Sequence, residues 1–172
     1  MTSLEDLMAM NGRQLHEVLL AGHPLDRAAL ADTQYLGVDL SLPGWARKLL
    51  WHTFRKTFHR DGDAIRGWNV KVEQTGIDRP TTPLTNRKGV PVTFGHYHVA
   101  DAGPFPKGYS GADFLDYSAG RNPFYDVAGL GYTPLVAVNA GSMDLLLGRE
   151  VFKLGPLMLP LPFGPSAPSC AL

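Results

Sequence analysis

The sequence predicts a mainly β protein: an antiparallel barrel of eight or nine strands with an N-terminal helix and a short second helix. Nineteen glycines and fourteen prolines among 172 residues suit many short strands joined by turns. The Asp61-Gly62 pair separates two extended runs, as in a β-hairpin. The run Pro91–Asp101 has the composition of a strand bounded by turn residues. These observations together favour a curled sheet over a helical bundle.

Length and composition indicate one domain over residues 1–172. Apolar residues make up 44% of the chain, enough for a core without staples. Cys170 is the only cysteine, so no internal disulfide forms. The formal net charge of zero argues against a nucleic-acid partner. The N-terminus lacks the pattern of a signal peptide and no run approaches the ~18 apolar residues of a membrane span, so we expect a soluble cytoplasmic protein.

An N-terminal helix is predicted within residues 1–24. Ser3 and Asp6 have the spacing of a capping box at a helix start. Apolar residues then recur at three-, four- and seven-residue steps at Leu4, Leu7, Met8, Leu15, Val18 and Leu19. The pattern keeps its phase across Asn11-Gly12, which predicts one helix, bent there and packed on the sheet.

The barrel is predicted to span residues 33–163. Its first strand is Thr33–Leu40, and Pro43-Gly44 opens a short helix near residues 45–52. Thr53–Arg60 fits a helix or a strand; the Asp-Gly turn after it favours a strand paired with Ile65–Glu73. A loop follows over Thr75–Gly89.

Further strands are predicted in the second half of the chain, at Pro91–Asp101, Asp113–Ser118, Tyr132–Asn139, Met143–Leu147, Glu150–Leu154 and Leu157–Phe163. Pro160 and Pro162 lack donors toward the same neighbour, so the last strand should lie at an edge. Residues 164–172 are predicted to be a disordered tail.

His96 and His98 are the first candidates for chemistry. Side chains two apart on a strand leave the same face, with Cβ atoms roughly 7 Å apart. Val92 and Phe94 share that face in a regular strand, which favours an inward direction. Three roles remain open: metal ligands, polar or acid–base groups in a cavity, and ordinary surface histidines. A metal would need further ligands, and the candidates are Asp116, His52, His59 and Asp126.

Asp116 is a candidate general acid or base, because burial would raise the pKa of its carboxyl group. With His96 and His98 it would serve a metal-free isomerase or cyclase. The alternative is an exposed or hydrogen-bonded carboxylate near a strand end. The sequence selects no cofactor and no oligomeric state.

A basic and aromatic stretch runs over residues 45–60. It contains Arg47, Lys48, Arg55, Lys56 and Arg60, interleaved with Trp45, Trp51, Phe54 and Phe58. Such a stretch can make weak contact with an anionic membrane. The alternative is a solvated face whose aromatic side chains belong to the core.

The chain resembles lipocalin-type small β-barrels in its N-terminal helix, Tyr35-Leu36-Gly37 in the first strand, its hairpins and its late strand pair. The family's G-x-W motif is absent, since Val38 and Asp39 follow Gly37. The remainder is similar to barrel proteins of bacteria. The resemblance implies a cavity for a small apolar molecule.

The leading functional hypothesis is therefore binding of a small, largely apolar ligand inside the barrel. Its predicted ligand-binding residues are Trp68, Val70, Phe94, His96, His98 and Tyr117. An enzyme on the same barrel and peripheral membrane association are the alternatives.

Overall fold

The computed structural model describes residues 1–40, 53–77, 79, 81–100, 109, 111–124, 127–154, 157–160 and 169–171. The helices are α1 (Leu4–Ala9), α2 (Gly12–Ala21) and α3 (Arg27–Leu30), with a 3-10 turn at Val127–Leu130. The strands are β1 (Gln34–Asp39), β2 (Thr53–Asp61), β3 (Ala64–Lys71), β4 (Thr93–Ala100), β5 (Asp113–Asp116), β6 (Tyr132–Ala137), β7 (Leu146–Arg149), β8 (Val151–Leu154), β9 (Leu157–Pro160) and β10 (Ser169–Ala171).

Strands β1 to β7 form one curled antiparallel sheet, a half-barrel in which each strand pairs with the next along the chain. This confirms the predicted mainly β, antiparallel class. The short strand β10 is in register with Val38 and Asp39 of β1 and with residues 147–149 of β7. Strands β8 and β9 instead form a separate two-stranded sheet.

The hairpin predicted around Asp61-Gly62 is confirmed. The pairing of β2 with β3 extends from Phe54 opposite Lys71 to Asp61 opposite Ala64. The segment Thr53–Arg60 is therefore a strand. Gly62 has a φ of 60°, a conformation that glycine adopts without steric cost. The helix predicted near residues 45–52 lies outside the described residues.

The N-terminal stretch differs from the prediction of one bent helix. It forms two helices, because Asn11 caps the second one: its side chain accepts hydrogen bonds from the backbone N–H groups of Arg13 and Gln14. The short helix α3, which was not predicted, begins in the same way at Asp26.

The C-terminal strands do not all join the main sheet, although the barrel was predicted to span residues 33–163. Among the described residues, β9 pairs with β8 alone, as expected for a strand that contains Pro160. Residues 169–171, predicted to lie in a disordered tail, form β10; the remainder of that tail lies outside the described residues.

Two hydrophobic cores lie on opposite faces of the sheet. The inner core joins α3 and the preceding turn to the concave face, through Leu25, Leu30, Phe58, Tyr97, Leu115, Leu135 and Leu146. The outer core packs α1 and α2 against β5, β6 and β7, through Leu7, Leu15, Leu19, Phe114, Val136 and Leu147. In the part of the chain that the structure describes, the helices thus cover the outside of β5–β7, and the outside of β2–β4 faces a loop instead.

Candidate functional site

A β-bulge in β4 decides which side chains reach each face. Gly67 is opposite Tyr97, yet Asn69 is opposite Phe94, so two steps along β3 correspond to three along β4. Gly95 lies in this bulge with a φ of 54°. A Cβ atom there would come within 2.8 Å of the Asn69 amide nitrogen. The position therefore requires glycine for both its backbone conformation and its space.

The bulge separates Phe94 from the two histidines. Phe94 points inward, where its ring centroid lies 6.2 Å from that of Phe54. Beyond the bulge, Tyr97 and Val99 are buried in the inner core, and His96 and His98 are half-buried on the outer face. The expectation that both imidazoles look into the barrel with Phe94 is therefore wrong, because the extra residue shifts the alternation of the strand.

Asp116 lies opposite His98 in the register of β4 and β5. Its Oδ1 atom accepts hydrogen bonds from the backbone N–H groups of Ser118 and Ala119 and from the Ser118 hydroxyl group. The carboxylate thus fixes the turn after β5. Among the described residues no group of three His, Cys, Asp or Glu side chains is placed to hold a metal ion, and His52 and Asp126 lie outside them.

Two imidazole rings lie next to Trp68 on the outer face. The His59 ring stacks on it with a centroid distance of 4.4 Å and an interplanar angle of 16°. The His96 ring is tilted by 34° relative to the indole, at a centroid distance of 5.8 Å. Within the described residues, Nε2 of His59 is the one buried side-chain nitrogen or oxygen without a hydrogen-bond partner. A hydrogen bond from a ligand to this buried ring nitrogen would be favourable, because the nitrogen has lost its contact with water without gaining a partner.

A cavity of about 490 Å³, here named the Trp68 cleft, lies between the outside of β1–β4 and the loop that precedes β4. This volume is within the range of small-molecule sites. The cleft is lined by Gln34, Arg55, Thr57, His59, Trp68, Val70, Pro83, Val90, Pro91, Thr93 and His96. The loop residues Pro83, Val90 and Pro91 provide the apolar wall opposite Trp68 and Val70.

A second cavity of about 310 Å³, here named the basic cleft, adjoins it and shares Trp68 and His96 with it. Its lining combines the outer side of β3 and β4 with the turn after β5, at Arg66, Gly67, Trp68, His96, Tyr97, His98, Ala119, Gly120 and Arg121. The predicted residue His98 therefore belongs to this cavity.

The concave face carries a buried cation that the sequence interpretation assigned to the surface. Lys56 is 3% exposed. Its ammonium group donates to Asn69 Oδ1 at 2.9 Å and to the Tyr117 hydroxyl at 3.0 Å, and lies 4.5 Å from the Tyr97 ring centroid. Tyr117, predicted as a ligand-binding residue, thus acts as a hydrogen-bond acceptor on the concave face of the sheet.

Glu150 carries the acidic counterpart of this interior cluster. Its carboxylate accepts a hydrogen bond from the Thr133 hydroxyl at 3.0 Å, and its other oxygen lies against the backbone of Gly131. Part of the residue remains at the surface, but the carboxyl group is enclosed by protein. Burial raises the pKa of Glu150 to about 7, and the Thr133 hydrogen bond and the Lys56 charge oppose that rise.

The position of Lys56 changes the interpretation of the basic and aromatic stretch over residues 45–60. Phe54, Lys56 and Phe58 share the inner face, Arg55 lies on the outer face, and Arg60 is exposed near the end of the strand. Period-two alternation along β2 was the signal for this, since it places Lys56 with the two phenylalanines. Lys56 and Phe58 are therefore not on a surface that a membrane would contact, and Arg47 and Lys48 lie outside the described residues.

The predicted ligand-binding residues do not form one site. Trp68, Val70 and His96 line the Trp68 cleft, while Phe94 and Tyr117 lie inside. Arg66 and Arg121 were not predicted as site residues. Arg55 was considered only as part of the basic and aromatic stretch, and His59 only as a metal ligand. The spacing of Arg55, Thr57 and His59 opposite the inner phenylalanines indicates their shared outer face.

Comparisons with known proteins identify no relative of this chain. The chain matches no known family, and neither the curated proteins nor the solved structures contain a significant match. In the described part of the chain, no helix is both long enough and apolar enough to cross a bilayer.

Proposed function

We propose that the protein binds a small, largely apolar ligand, and that this ligand occupies the Trp68 cleft. The observation that carries the proposal is Trp68 itself, whose indole lines a cavity of about 490 Å³ together with the rings of His59 and His96. An aromatic surface of this kind offers a stacking platform, worth about 0.5–1.5 kcal/mol per ring pair beyond the area that it buries.

The lining of the cleft indicates the character of the ligand. Val70, Pro83 and Pro91 form apolar walls around the Trp68 indole. Polar groups come from Gln34, Arg55, two threonines and two histidines. Sites with these features typically take a rigid apolar body and orient it through one or two polar contacts. A planar ring system fits the stacking surface best.

We also propose that the half-barrel closes into an eight-stranded barrel of the lipocalin type. Support comes from β10, which is in register with β1 on one side and with β7 on the other. The concave face holds the inner core at the α3 end and the Lys56 cluster deeper along β2 and β3. In this arrangement the barrel interior serves stability, and the outer cleft serves binding.

The test is a calorimetric titration with planar apolar compounds, of which 2-naphthol is the reference probe. We expect binding to the unmodified protein and an affinity at least about tenfold weaker for Trp68→Leu, because the stacking surface is lost. Leu20→Ala removes an exposed apolar side chain from α2 and serves as the control. Equal affinities for the unmodified protein and Trp68→Leu, or no heat with any compound, would refute the proposal.

A further inference from the structure

We infer that the ligand of the Trp68 cleft is an aromatic anion, whose charged group lies in the basic cleft. This inference rests on the proposed function, because the ring is assumed to stack on Trp68. The two cavities meet at Trp68 and His96, so a substituent on the stacked ring extends directly from the apolar cavity into the basic one.

The charge of the lining carries the inference. Arg66 and Arg121 line the basic cleft together with His96 and His98. Among the described residues, neither cavity is lined by an Asp or Glu side chain. Guanidinium groups recognise carboxylate, sulfonate and phosphate groups through paired N–H donors. A group of this kind gains attraction from two permanent cations in a recess that partly excludes water.

The turn that carries Arg121 is fixed against the bulge of β4. The Asn122 side chain accepts a hydrogen bond from the His96 N–H group at 2.7 Å and donates to the His96 and Tyr117 carbonyl oxygens at 2.8 Å each. The Gly120 backbone packs so closely on the His96 carbonyl group that a Cβ atom there would overlap it. These contacts hold the base of Arg121 beside His96, and thus beside the shared edge of the two cavities.

Two carboxylates near the basic cleft already have partners. Asp61 accepts from Arg66 Nε at 2.6 Å, and both side chains of that pair are about half exposed, at 50% and 46%. A half-exposed pair is weakly bound, and a guanidinium group has further donors for an incoming anion. Asp116 is engaged by the turn that follows β5. Asp61 therefore offsets part of the Arg66 charge, and Arg121 is the second guanidinium group of the lining.

The ligand class follows from the two halves of the site. The apolar half takes a planar ring system of about the size of naphthalene or indole. The basic half takes one carboxylate, sulfonate or phosphate group attached to that ring. A free inorganic anion would use the basic cleft alone, and a neutral ring would use the Trp68 cleft alone. The tightest ligands are those that combine both groups.

The experiment compares three probes by calorimetry at low ionic strength and pH 7.5: 2-naphthol, 2-naphthyl phosphate and inorganic phosphate. For the unmodified protein we expect 2-naphthyl phosphate to bind at least about tenfold more tightly than either of the others. Arg121 is exposed, so Arg121→Gln should leave folding intact. This variant should weaken 2-naphthyl phosphate several-fold and leave 2-naphthol unchanged. Arg13→Gln, on the exposed side of α2, is the matched control and should change neither.

The outcomes separate the inference from the proposed function. If 2-naphthol and 2-naphthyl phosphate bind equally, or if Arg121→Gln and Arg13→Gln have the same effect, the inference is overturned while the apolar site remains. If inorganic phosphate binds as tightly as 2-naphthyl phosphate, the ring contributes nothing, and the proposed function is overturned. Failure of all three probes also overturns the proposed function, and the inference with it.

Discussion

At the scale of single residues, the most unusual group is the Lys56 ammonium on the concave face of the sheet. A buried charge is costly unless partners replace its hydration, and here Asn69, Tyr117 and the aromatic face of Tyr97 do so. Glu150 adds a carboxyl group whose raised pKa lies close to neutrality. The interior cluster therefore ties protein stability to pH.

We predict that the contribution of Glu150 to the free energy of unfolding falls as the pH rises between about 4.5 and 7. The folded state holds a proton on Glu150 in this window and the unfolded state does not, because burial raises the pKa from its ordinary value of 4.5 to about 7. The stabilisation is complete below the lower value and lost above the upper one. This difference in pKa between the two states corresponds to at most about 3 kcal/mol of unfolding free energy. Glu150→Gln should flatten this slope in urea unfolding curves; Glu73→Gln, an exposed control, should keep it.

Replacement of Lys56 should destabilise the fold more than replacement of an arginine on the same strand. Lys56→Met keeps the length of the side chain but leaves Asn69 Oδ1 and the Tyr117 hydroxyl group without their donor, which costs about 1–3 kcal/mol for each group left unsatisfied. Arg60→Met, at an exposed position of β2, should change the free energy of unfolding by less than about 0.5 kcal/mol. Equal losses for the two variants in urea unfolding would contradict this account of the interior.

At the scale of elements, the β2–β3 hairpin follows from local sequence, whereas the direction of the histidines does not. The Asp61-Gly62 turn and the alternation along β3 are local signals, and the structure confirms both elements. The bulge at Gly95 depends on the pairing of β4 with β3, which alternation within one strand does not reveal. One extra residue then exchanges the faces predicted for His96 and His98.

The outward direction of Trp68 and Val70 also depends on contacts between segments that are distant in sequence. They were expected to line the interior, where instead Asn69 bonds to Lys56. Their outer position is sheltered by the loop residues Pro83, Val90 and Pro91, which are distant in sequence. Alternation indicates that Trp68 and Val70 share a face. Which face is covered depends on tertiary contacts that the sequence pattern does not contain.

The bulge predicts a difference between two glycine substitutions. Gly89→Ala should lower the free energy of unfolding by about 1–2 kcal/mol, because its φ of 75° is unfavourable for alanine. No atom lies within 4 Å of the added Cβ, so a steric clash does not add to this cost. Gly95→Ala combines a φ of 54° with contacts to Asn69 at 2.8 Å and Tyr117 at 3.1 Å, so its cost should exceed that of Gly89→Ala. Urea unfolding measures both. A smaller loss for Gly95→Ala than for Gly89→Ala would mean that the bulge is not rigid.

At the scale of the whole molecule, the two sides of the sheet differ in what covers them. Helices α1 and α2 pack on the outside of β5–β7 and form the outer core. The outside of β2–β4 carries the two adjoining clefts. Composition and periodicity predict the β class and a packed N-terminal helix. They do not specify the strands that the helices cover, because that choice depends on contacts between distant segments.

The proposed closure of the barrel is tested by removing its last strand. A chain that ends at residue 168 lacks the β10 pairing to both β1 and β7. Each lost backbone hydrogen bond should cost about 0.5–1.5 kcal/mol, so the midpoint of urea unfolding should fall clearly. A chain shortened by Leu172 alone is the control and should unfold as the full chain does. Identical midpoints for all three chains would argue that the barrel is not closed by β10.

The most direct measurement of the central claim is an NMR titration of the isotope-labelled protein with 2-naphthyl phosphate. The account predicts that the largest shifts appear at the Trp68 indole N–H and at the ring protons of His59 and His96, which lie on the outer face. The side-chain amide of Asn69, on the concave face, should move little. Large shifts at Asn69 with an unchanged Trp68 indole would place the ligand inside the barrel and contradict the account.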